Sequence, residues 1–379
     1  MTKFKTKHKA FALTKMRAAA LIIAALLTLA LLFTGCKQSA GGSNEIGSSG
    51  GGGNTGGLEW HEAPLIEGGA SLILSPDKLT IRVTVTTSDN SPITVEGCDK
   101  TKLTSGTQTE LKAKGRKVVL KGKITKLTVG DWQNPNKLTA LNVQGLSTLQ
   151  ELDCNSNKLT ELNVQGLSVL QKLRCYGNQL SSLNVQGLNA LQDLICSFNK
   201  LTALNVQGLN ALKELNCGSN QLTALNVQGL NALKELNCDG NQLTELNVQG
   251  LNALQKLVCD RNQLTALNVQ GLNALRRLSC GLNQLTELNV QGLSALQTLY
   301  CWSNKLNAEA FTKLFNDLPQ RVDGDEAKCW LYTEETGVTE GNHTDFSTPS
   351  DLAAAFNNAK TVKKWKLYKR KMNGPGEEI

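Results

Sequence analysis

From residue 137 onward the apolar residues return on a fixed beat. One unit reads Leu212-x-x-Leu215-x-Cys217-x-x-Asn220-x-Leu222-x-x-Leu225-x-Val227-x-x-Leu230, and this spacing recurs unchanged, with Leu215 answered by Leu236, Leu257 and Leu278. Eight such copies of the 21-residue repeat follow one another without a gap from Lys137 to Asn304, and each contains LNVQGL unaltered. The alternation Leu215-x-Cys217 turns these two side chains to one face and Asn216 to the other, which predicts a short strand. Stacked copies then form a parallel sheet at about 4.8 Å per repeat. Asn220 falls where the chain must turn, and its amide can serve backbone groups left open at the bend. Leu225-x-Val227 repeats the alternation and predicts a second short strand on the opposite wall. Gly229 sits where a tight turn calls for a small residue. Each repeat offers about seven apolar side chains for burial, at roughly 1.5–3 kcal/mol apiece. Stacking can therefore offset an ordering entropy that a single repeat could not.

The first half of the unit is the leucine-rich-repeat pattern LxxLxLxxNxL, with Cys in the third apolar slot. The expected fold is a leucine-rich-repeat solenoid, β-rich, built of parallel short strands. A stack of this kind must be closed at both ends. Ile124 to Val129 reads as a degenerate half-repeat, so the array is expected to span 124–304. Upstream, Leu79–Val85 alternates like a strand, and Ile93–Val95 and Val118–Leu120 suggest two more. Residues 58–123 are read as a small N-terminal β cap domain. Residues 305–379 are read as an α+β C-terminal cap. There, Asn307 caps a short helix that carries Phe311, Leu314, Phe315 and Leu318 and stops at Pro319. A second helix is expected from Ser350, with Leu352 and Phe356, and a closing strand over Val362–Leu367.

The beginning of the chain follows other rules. Residues 1–17 are basic, and Ala18–Phe33 is an apolar run broken only by Thr28. Its length suits the core of a signal peptide better than a membrane span. Phe33-Thr34-Gly35-Cys36 resembles the bacterial lipobox, with Phe33 standing where Leu is usual. The resemblance implies a signal peptide over 1–35 and lipidation of Cys36. Residues 36–57 continue as a Gly/Ser-rich tether. Lys37 after the cysteine, in place of an inner-membrane-retaining Asp, implies the outer membrane.

Charge changes little beyond this. The chain has 40 Lys and Arg against 32 Asp and Glu, but six of the bases (Lys3, Lys5, Lys7, Lys9, Lys15 and Arg17) lie in the leader. Without them 34 bases face 32 acids, which gives no whole-domain reason to bind nucleic acid. The run Lys360–Lys371 carries seven bases and could touch anionic glycans, lipopolysaccharide-like surfaces or nucleic acid; the plainer reading is a solvated face of the last strand, with Trp365 and Leu367 inward.

Of the 11 cysteines, eight recur with the repeat: Cys154, Cys175, Cys196, Cys217, Cys238, Cys259, Cys280 and Cys301. Each fills an inward apolar slot, where a thiol packs as a small hydrophobe. In-register neighbours about 4.8 Å apart exceed the roughly 3.5–4.5 Å between Cβ atoms of a disulfide. A line of thiols is also not the tetrahedral cluster that zinc requires. The ladder is therefore expected to be a row of core thiols, with no metal and no cofactor. Cys98 and Cys329 stand alone, and whether they pair is left open by the sequence.

The internal copies have diverged unequally. Between Leu and Cys stand Asp153, Arg174, Ile195, Asn216, Asn237, Val258, Ser279 and Tyr300. After Cys come Asn155, Tyr176, Ser197, Gly218, Asp239, Asp260, Gly281 and Trp302, and then Ser156, Gly177, Phe198, Ser219, Gly240, Arg261, Leu282 and Ser303. These three columns are expected to face outward on the concave wall. Drift at tolerant surface positions is one account. The unchanged Asn and Gln of LNVQGL, polar and expected to be partly exposed, argue against it. The large residues also cluster. Arg174, Tyr176, Ile195 and Phe198 form one group, Tyr300, Trp302 and Leu282 another, with Val258 and Arg261 between. Such residues are typical of interaction hot spots. The C-terminal cap lies beside Tyr300 and Trp302 and can cover part of that patch.

Catalysis has little support. Beyond the leader the chain has only His61 and His343, neither beside a nucleophile motif, and it has no phosphate loop or HExxH. The lipobox, the LTALNVQGLNALKELNC unit and the terminal LNAEAFTKLFNDLP resemble surface leucine-rich-repeat lipoproteins of oral spirochaetes and Bacteroidales. That resemblance implies a non-enzymatic adhesin, held to the outer membrane by its lipid and exposed at the cell surface. Its partner would be a host or bacterial surface protein or glycan. The alternative is a periplasmic scaffold on the same anchor, facing inward.

Overall fold

The computed structural model describes residues 62–131, 133–334, 340–371 and 376–379. The signal peptide, Cys36 and the tether lie outside the described residues. The expected N-terminal domain is described from its residue 62 onward.

The protein is a leucine-rich-repeat solenoid. Its eight repeats supply β9 (Glu151–Asp153), β10 (Lys172–Arg174), β11 (Asp193–Ile195), β12 (Glu214–Asn216), β13 (Glu235–Asn237), β14 (Lys256–Val258), β15 (Arg277–Ser279) and β16 (Thr298–Tyr300). All pair in parallel and in register, Leu152 beside Leu173 beside Leu194 and so on to Leu299. The seven apolar positions of the unit, Leu212 to Leu230, are all buried.

At the bend after each strand a buried asparagine serves four backbone groups, for Asn220 including the Gly218 carbonyl at 3.3 Å. Asn220 donates from Nδ2 to the carbonyls of Cys217 at 3.0 Å and Cys196 at 3.1 Å, and its Oδ1 accepts from Leu201 N at 3.0 Å. The carbonyl of Cys196 belongs to the preceding repeat, so the amide joins rungs as well as turning the chain. The ladder extends beyond the repeats. Asn136 does the same work against Arg82 and Val129, and Asn342 against Cys301, Leu331 and Leu306.

The opposite wall differs from expectation. Leu225-x-Val227 runs extended, but the corresponding segments pair as a named strand only in the first copy, as β8 (Leu138–Asn142). The reason is side-chain competition for the backbone. Asn226 Oδ1 accepts from Gln228 N at 3.1 Å, and Gln228 Nε2 donates to the Asn247 carbonyl of the next repeat at 2.8 Å. Glutamine amides thus supply bonds that a second ladder would otherwise make.

Both ends are closed by strands. β7 (Ile124–Thr128) adds in parallel to β9, and β2 (Thr80–Thr87) lies antiparallel on β7. On the other wall β1 (Gly69–Leu74) lies between β8 and β6 (Lys117–Lys121), antiparallel to both. No sequence pattern marks β1, because all six of its residues are buried and no alternation survives. The N-terminal domain thereby continues each wall. It is completed by β3 (Ile93–Glu96), β4 (Lys102–Leu103) and β5 (Thr109–Lys112).

The C-terminal cap begins with α1 (Ala308–Asp317), where Asn307 Oδ1 accepts from Ala310 N at 2.8 Å. Phe311, Leu314 and Phe315 are buried beneath it, and α2 (Ser350–Thr361) packs beside it. β17 (Lys328–Thr333) and β18 (Lys366–Arg370) extend the parallel sheet past β16, and β19 (Glu377–Glu378) closes the edge antiparallel. The cap thus contains two further rungs, the first interrupted by α1. The closing strand lies a few residues beyond its expected Val362 start. No helix among the described residues is long and apolar enough to cross a membrane.

Candidate functional site

The three variable columns lie along the strand wall and leave it at its turn. In the column between Leu and Cys most side chains are half-buried, and Ser279 is buried. Arg174 Nη2 reaches Asp193 Oδ2 on the next strand at 2.7 Å. Asp153, on the other side of Arg174, has its carboxyl pushed up by burial. Glu214 is also raised, by burial first and then by the carboxylates of Asp193 and Glu235. In the next column Asn155 Oδ1 accepts from Tyr176 N at 2.9 Å, and Asp260 Oδ1 accepts from Gly281 N at 2.8 Å. Burial raises the Asp260 carboxyl.

The third column carries a backbone constraint that the sequence does not display. All eight of its residues are left-handed, with φ between 50° and 65°: Ser156, Gly177, Phe198, Ser219, Gly240, Arg261, Leu282 and Ser303. Glycine fits this conformation freely, whereas a bulky L-residue costs on the order of 1 kcal/mol. Phe198, Arg261 and Leu282 accept that cost while leaving their side chains in solvent. Phe198 is 65% exposed and Leu282 38%.

The sequence-derived candidates separate into three groups. Arg174 and Ile195 are register partners on β10 and β11, with Tyr176 and Phe198 at the turns of the same two rungs, so the first group is brought together. Val258 and Arg261 lie three rungs further on, Arg261 exposed and Val258 half-buried. The third group is rearranged. Trp302 is only 7% exposed and is withdrawn as a contact residue. The Arg370 guanidinium lies 3.9 Å from its ring centroid, and a Cβ on Gly281 would fall 2.7 Å from the ring. The cap and the neighbouring glycine therefore enclose it. Tyr300 stays half-buried but stacks on Trp330 at 4.2 Å, and Trp330 stacks on Tyr368 at 5.1 Å. Trp330 and Tyr368 were missed. Their signals, the alternating Lys-Cys-Trp-Leu-Tyr of β17 and Lys-Leu-Tyr of β18, lie outside the repeat array.

The invariance of LNVQGL has a structural cause. Asn163, Asn184, Asn205, Asn226 and Asn247 each accept from the backbone N–H two residues on. Gln165, Gln186, Gln207, Gln228 and Gln249 each donate to the next repeat at 2.8–3.0 Å. These residues are fixed by their bonds, so their constancy does not count against drift on the other wall. The left-handed column is the stronger observation.

The ladder cysteines, with Cys98 and Cys329, are all buried free thiols. Burial pushes the Cys175 to Cys280 thiols well up, with the neighbouring thiols adding to it. Cys98 bridges to Ala113 in the N-terminal domain and Cys329 lies on β17, so the two belong to opposite ends of the molecule. Among the described residues no group of three His, Cys, Asp or Glu side chains is placed to hold a metal ion. Much of the basic run is matched by acids: Lys364 by Asp323, Lys366 by Glu326, Lys369 by Glu334 and Glu377, and Lys371 by Glu377.

No protein-family model matches the chain, and no curated protein matches it. Solved structures do. The functional domain of InlJ from Listeria monocytogenes, described as including a cysteine ladder, is 38% identical over 48% of this chain and 40% of its own, with a TM-score of 0.46. YopM from Yersinia enterocolitica is 23% identical over 52% of this chain and 45% of its own, with a TM-score of 0.39. A leucine-rich-repeat protein of Leptospira interrogans is 26% identical over 52% of this chain and 72% of its own, with a TM-score of 0.25. The chain spans less than half the length of the first two.

Proposed function

We propose that the chain is a lipid-anchored, surface-displayed binding protein, adhesin-like and non-enzymatic, that recognises a surface protein through its strand wall. The observation that carries this reading is the left-handed column. At a turn where glycine is the unstrained choice, the chain holds Phe198, Arg261 and Leu282 with their side chains in water. A fold selected for stability alone would replace them. Backbone strain kept at exposed bulky residues is the mark of a contact surface. Phe198, with Arg174, Tyr176 and Ile195 around it, is the principal anchor; Arg261 and Leu282 extend the surface. Anchoring through Cys36 rests on the lipobox resemblance, the outer membrane on Lys37, and surface exposure on the resemblance to surface leucine-rich-repeat lipoproteins.

Two measurements test the reading. Cells displaying the full-length chain with a C-terminal tag are treated with proteinase K, beside a periplasmic control. Loss of the tag before lysis is expected; protection until lysis sinks the surface placement. Adhesion of the same cells to immobilised matrix proteins and to neighbouring bacteria is then compared with that of a Phe198→Gly variant. The variant is expected to fold and to adhere poorly. Full adhesion by the variant removes Phe198 from the contact surface.

A further inference from the structure

The strand wall ends in an aromatic group that begins in the last repeat and continues into the cap. Tyr300, Trp330 and Tyr368 occupy one register position on β16, β17 and β18, and their rings stack at 4.2 Å and 5.1 Å with interplanar angles of 13° and 19°. The Arg277 guanidinium covers the Tyr300 end, 5.1 Å from its centroid. The register position two residues before this column reads Lys256, Arg277, Thr298, Lys328 and Lys366 across five adjacent strands. On a strand, residues two apart share a face, so a basic row runs beside the aromatic one. The row is undercompensated. Lys256 pairs with Glu235 at 3.0 Å, but Arg277 has no ion pair among the described residues, and Lys328 and Lys366 share the single carboxylate of Glu326.

We propose that this end of the wall binds an extended acidic segment of a partner protein. The inference rests on the binding role proposed above and names the chemistry of the partner. The ring geometry selects the class. Sugars and nucleobases stack on open ring faces, but here Trp330 is stacked between Tyr300 and Tyr368, and Arg277 lies over Tyr300. What the wall offers a partner is therefore the basic row itself, whose excess of positive charge favours carboxylates. The chain supplies its own example at the end of the ladder. β19 pairs antiparallel with β18; its Glu377 meets Lys369 at 3.2 Å and also Lys371, and Glu378 Oε2 lies 3.5 Å from the Tyr368 hydroxyl. Glu378 is thus an acidic side chain already seated on the aromatic face, while Glu377 with Lys369 lies on the other.

The test uses the purified full-length chain and fluorescein-labelled (Glu-Thr)6, with (Gln-Thr)6, a heparin fragment and oligo-dT as comparison probes, read by fluorescence anisotropy. Saturable binding of (Glu-Thr)6, about tenfold tighter than (Gln-Thr)6, is expected, and Arg277→Gln with Lys328→Gln should lose most of that preference. Trp330→Tyr should retain binding and Trp330→Leu should weaken it, both with an unchanged thermal midpoint for the repeat array. Equal affinity for the two peptides, no effect of the double substitution, or binding confined to heparin or oligo-dT would overturn the proposal. Phe198→Gly separates the two readings. Poor adhesion by that variant, with no peptide bound by the wild type, overturns this inference and leaves the proposed function standing. Peptide binding by the wild type, with undiminished adhesion by the variant, does the reverse.

Discussion

The two walls of the solenoid are made from the same repeat unit and treat their polar side chains in opposite ways. On the LNVQGL wall Asn226 accepts from Gln228 N and Gln228 reaches the next repeat's backbone, and the same bonds recur from copy to copy. On the strand wall the parallel ladder already pairs the strand backbone; Asn216 and Asp260 still accept from backbone N–H groups, but Ile195 and Val258 stand at positions equivalent to Asn216 with no such bond to make. At its Asn positions and from Gln165 to Gln249 the first wall cannot vary without losing hydrogen bonds. The second can hold Arg174, Ile195, Asn216 or Tyr300 at one position with little change to the stack. Constancy here marks structural work and variation marks freedom. Neither quantity speaks for binding, and the proposed binding role draws on the left-handed turn instead.

That contrast can be broken or sharpened by substitution. The largest loss is expected where both walls meet, at the buried asparagine. Asn220→Leu strands the carbonyls of Cys196 and Cys217 and the N–H of Leu201, and should cost roughly 3–5 kcal/mol in denaturant unfolding. Trp302→Ala should cost about 3 kcal/mol by opening a cavity beneath Arg370, and should lower stability before it touches adhesion. A variant that keeps its denaturation midpoint would return Trp302 to the exposed surface. Gln228→Ala removes one bond between repeats and should cost about 1 kcal/mol, whereas Ile195→Val on the strand wall should stay within about 0.5 kcal/mol. Equal losses at these two positions would dissolve the distinction between the walls.

Phe198→Gly should act in the opposite direction. Relief of the left-handed strain exceeds the freedom glycine gains in the unfolded chain, for a net stabilisation on the order of 0.5 kcal/mol, read as a higher thermal midpoint. A lower midpoint would show that Phe198 packs against the fold. The smallest effect concerns Glu214, whose folded carboxyl is raised by burial and by its acidic neighbours. The native state then holds its proton to a higher pH than the unfolded chain does. Stability falls as pH rises from the ordinary carboxylate range through the raised folded value. Glu214→Gln should therefore raise the midpoint at pH 7 and leave it little changed at pH 3; a lower midpoint at pH 7 would reverse the assignment.

Periodicity made most of this molecule legible. Seven buried apolar positions per repeat, in-register strands, the turning asparagine and the thiol row all follow from spacing, because a side chain that recurs once per repeat meets its own copy in the next rung. Asn307 and Phe311 marked the first cap helix by the same kind of local rule. Legibility stopped where the environment, rather than the spacing, decides. β1 was invisible because burial on both faces erases alternation. The extended LNVQGL segments matched the pattern of a strand, but glutamine amides rather than neighbouring backbone hold them.

The candidate surface was legible as three columns and no further. Which members reach solvent depends on neighbours distant in sequence: Arg370 of the last parallel strand covers the ring of Trp302 in the last repeat. Likewise Trp330 and Tyr368 join Tyr300 only because the chain, after its helical detour, returns to the same sheet. By itself the sequence determined the repeat, its inward face and its tolerant positions, since each is set by periodic burial. Tertiary structure decided which tolerant positions are strained, which aromatic side chains are covered and which stack, because contacts across the ends of the solenoid have no period to reveal them.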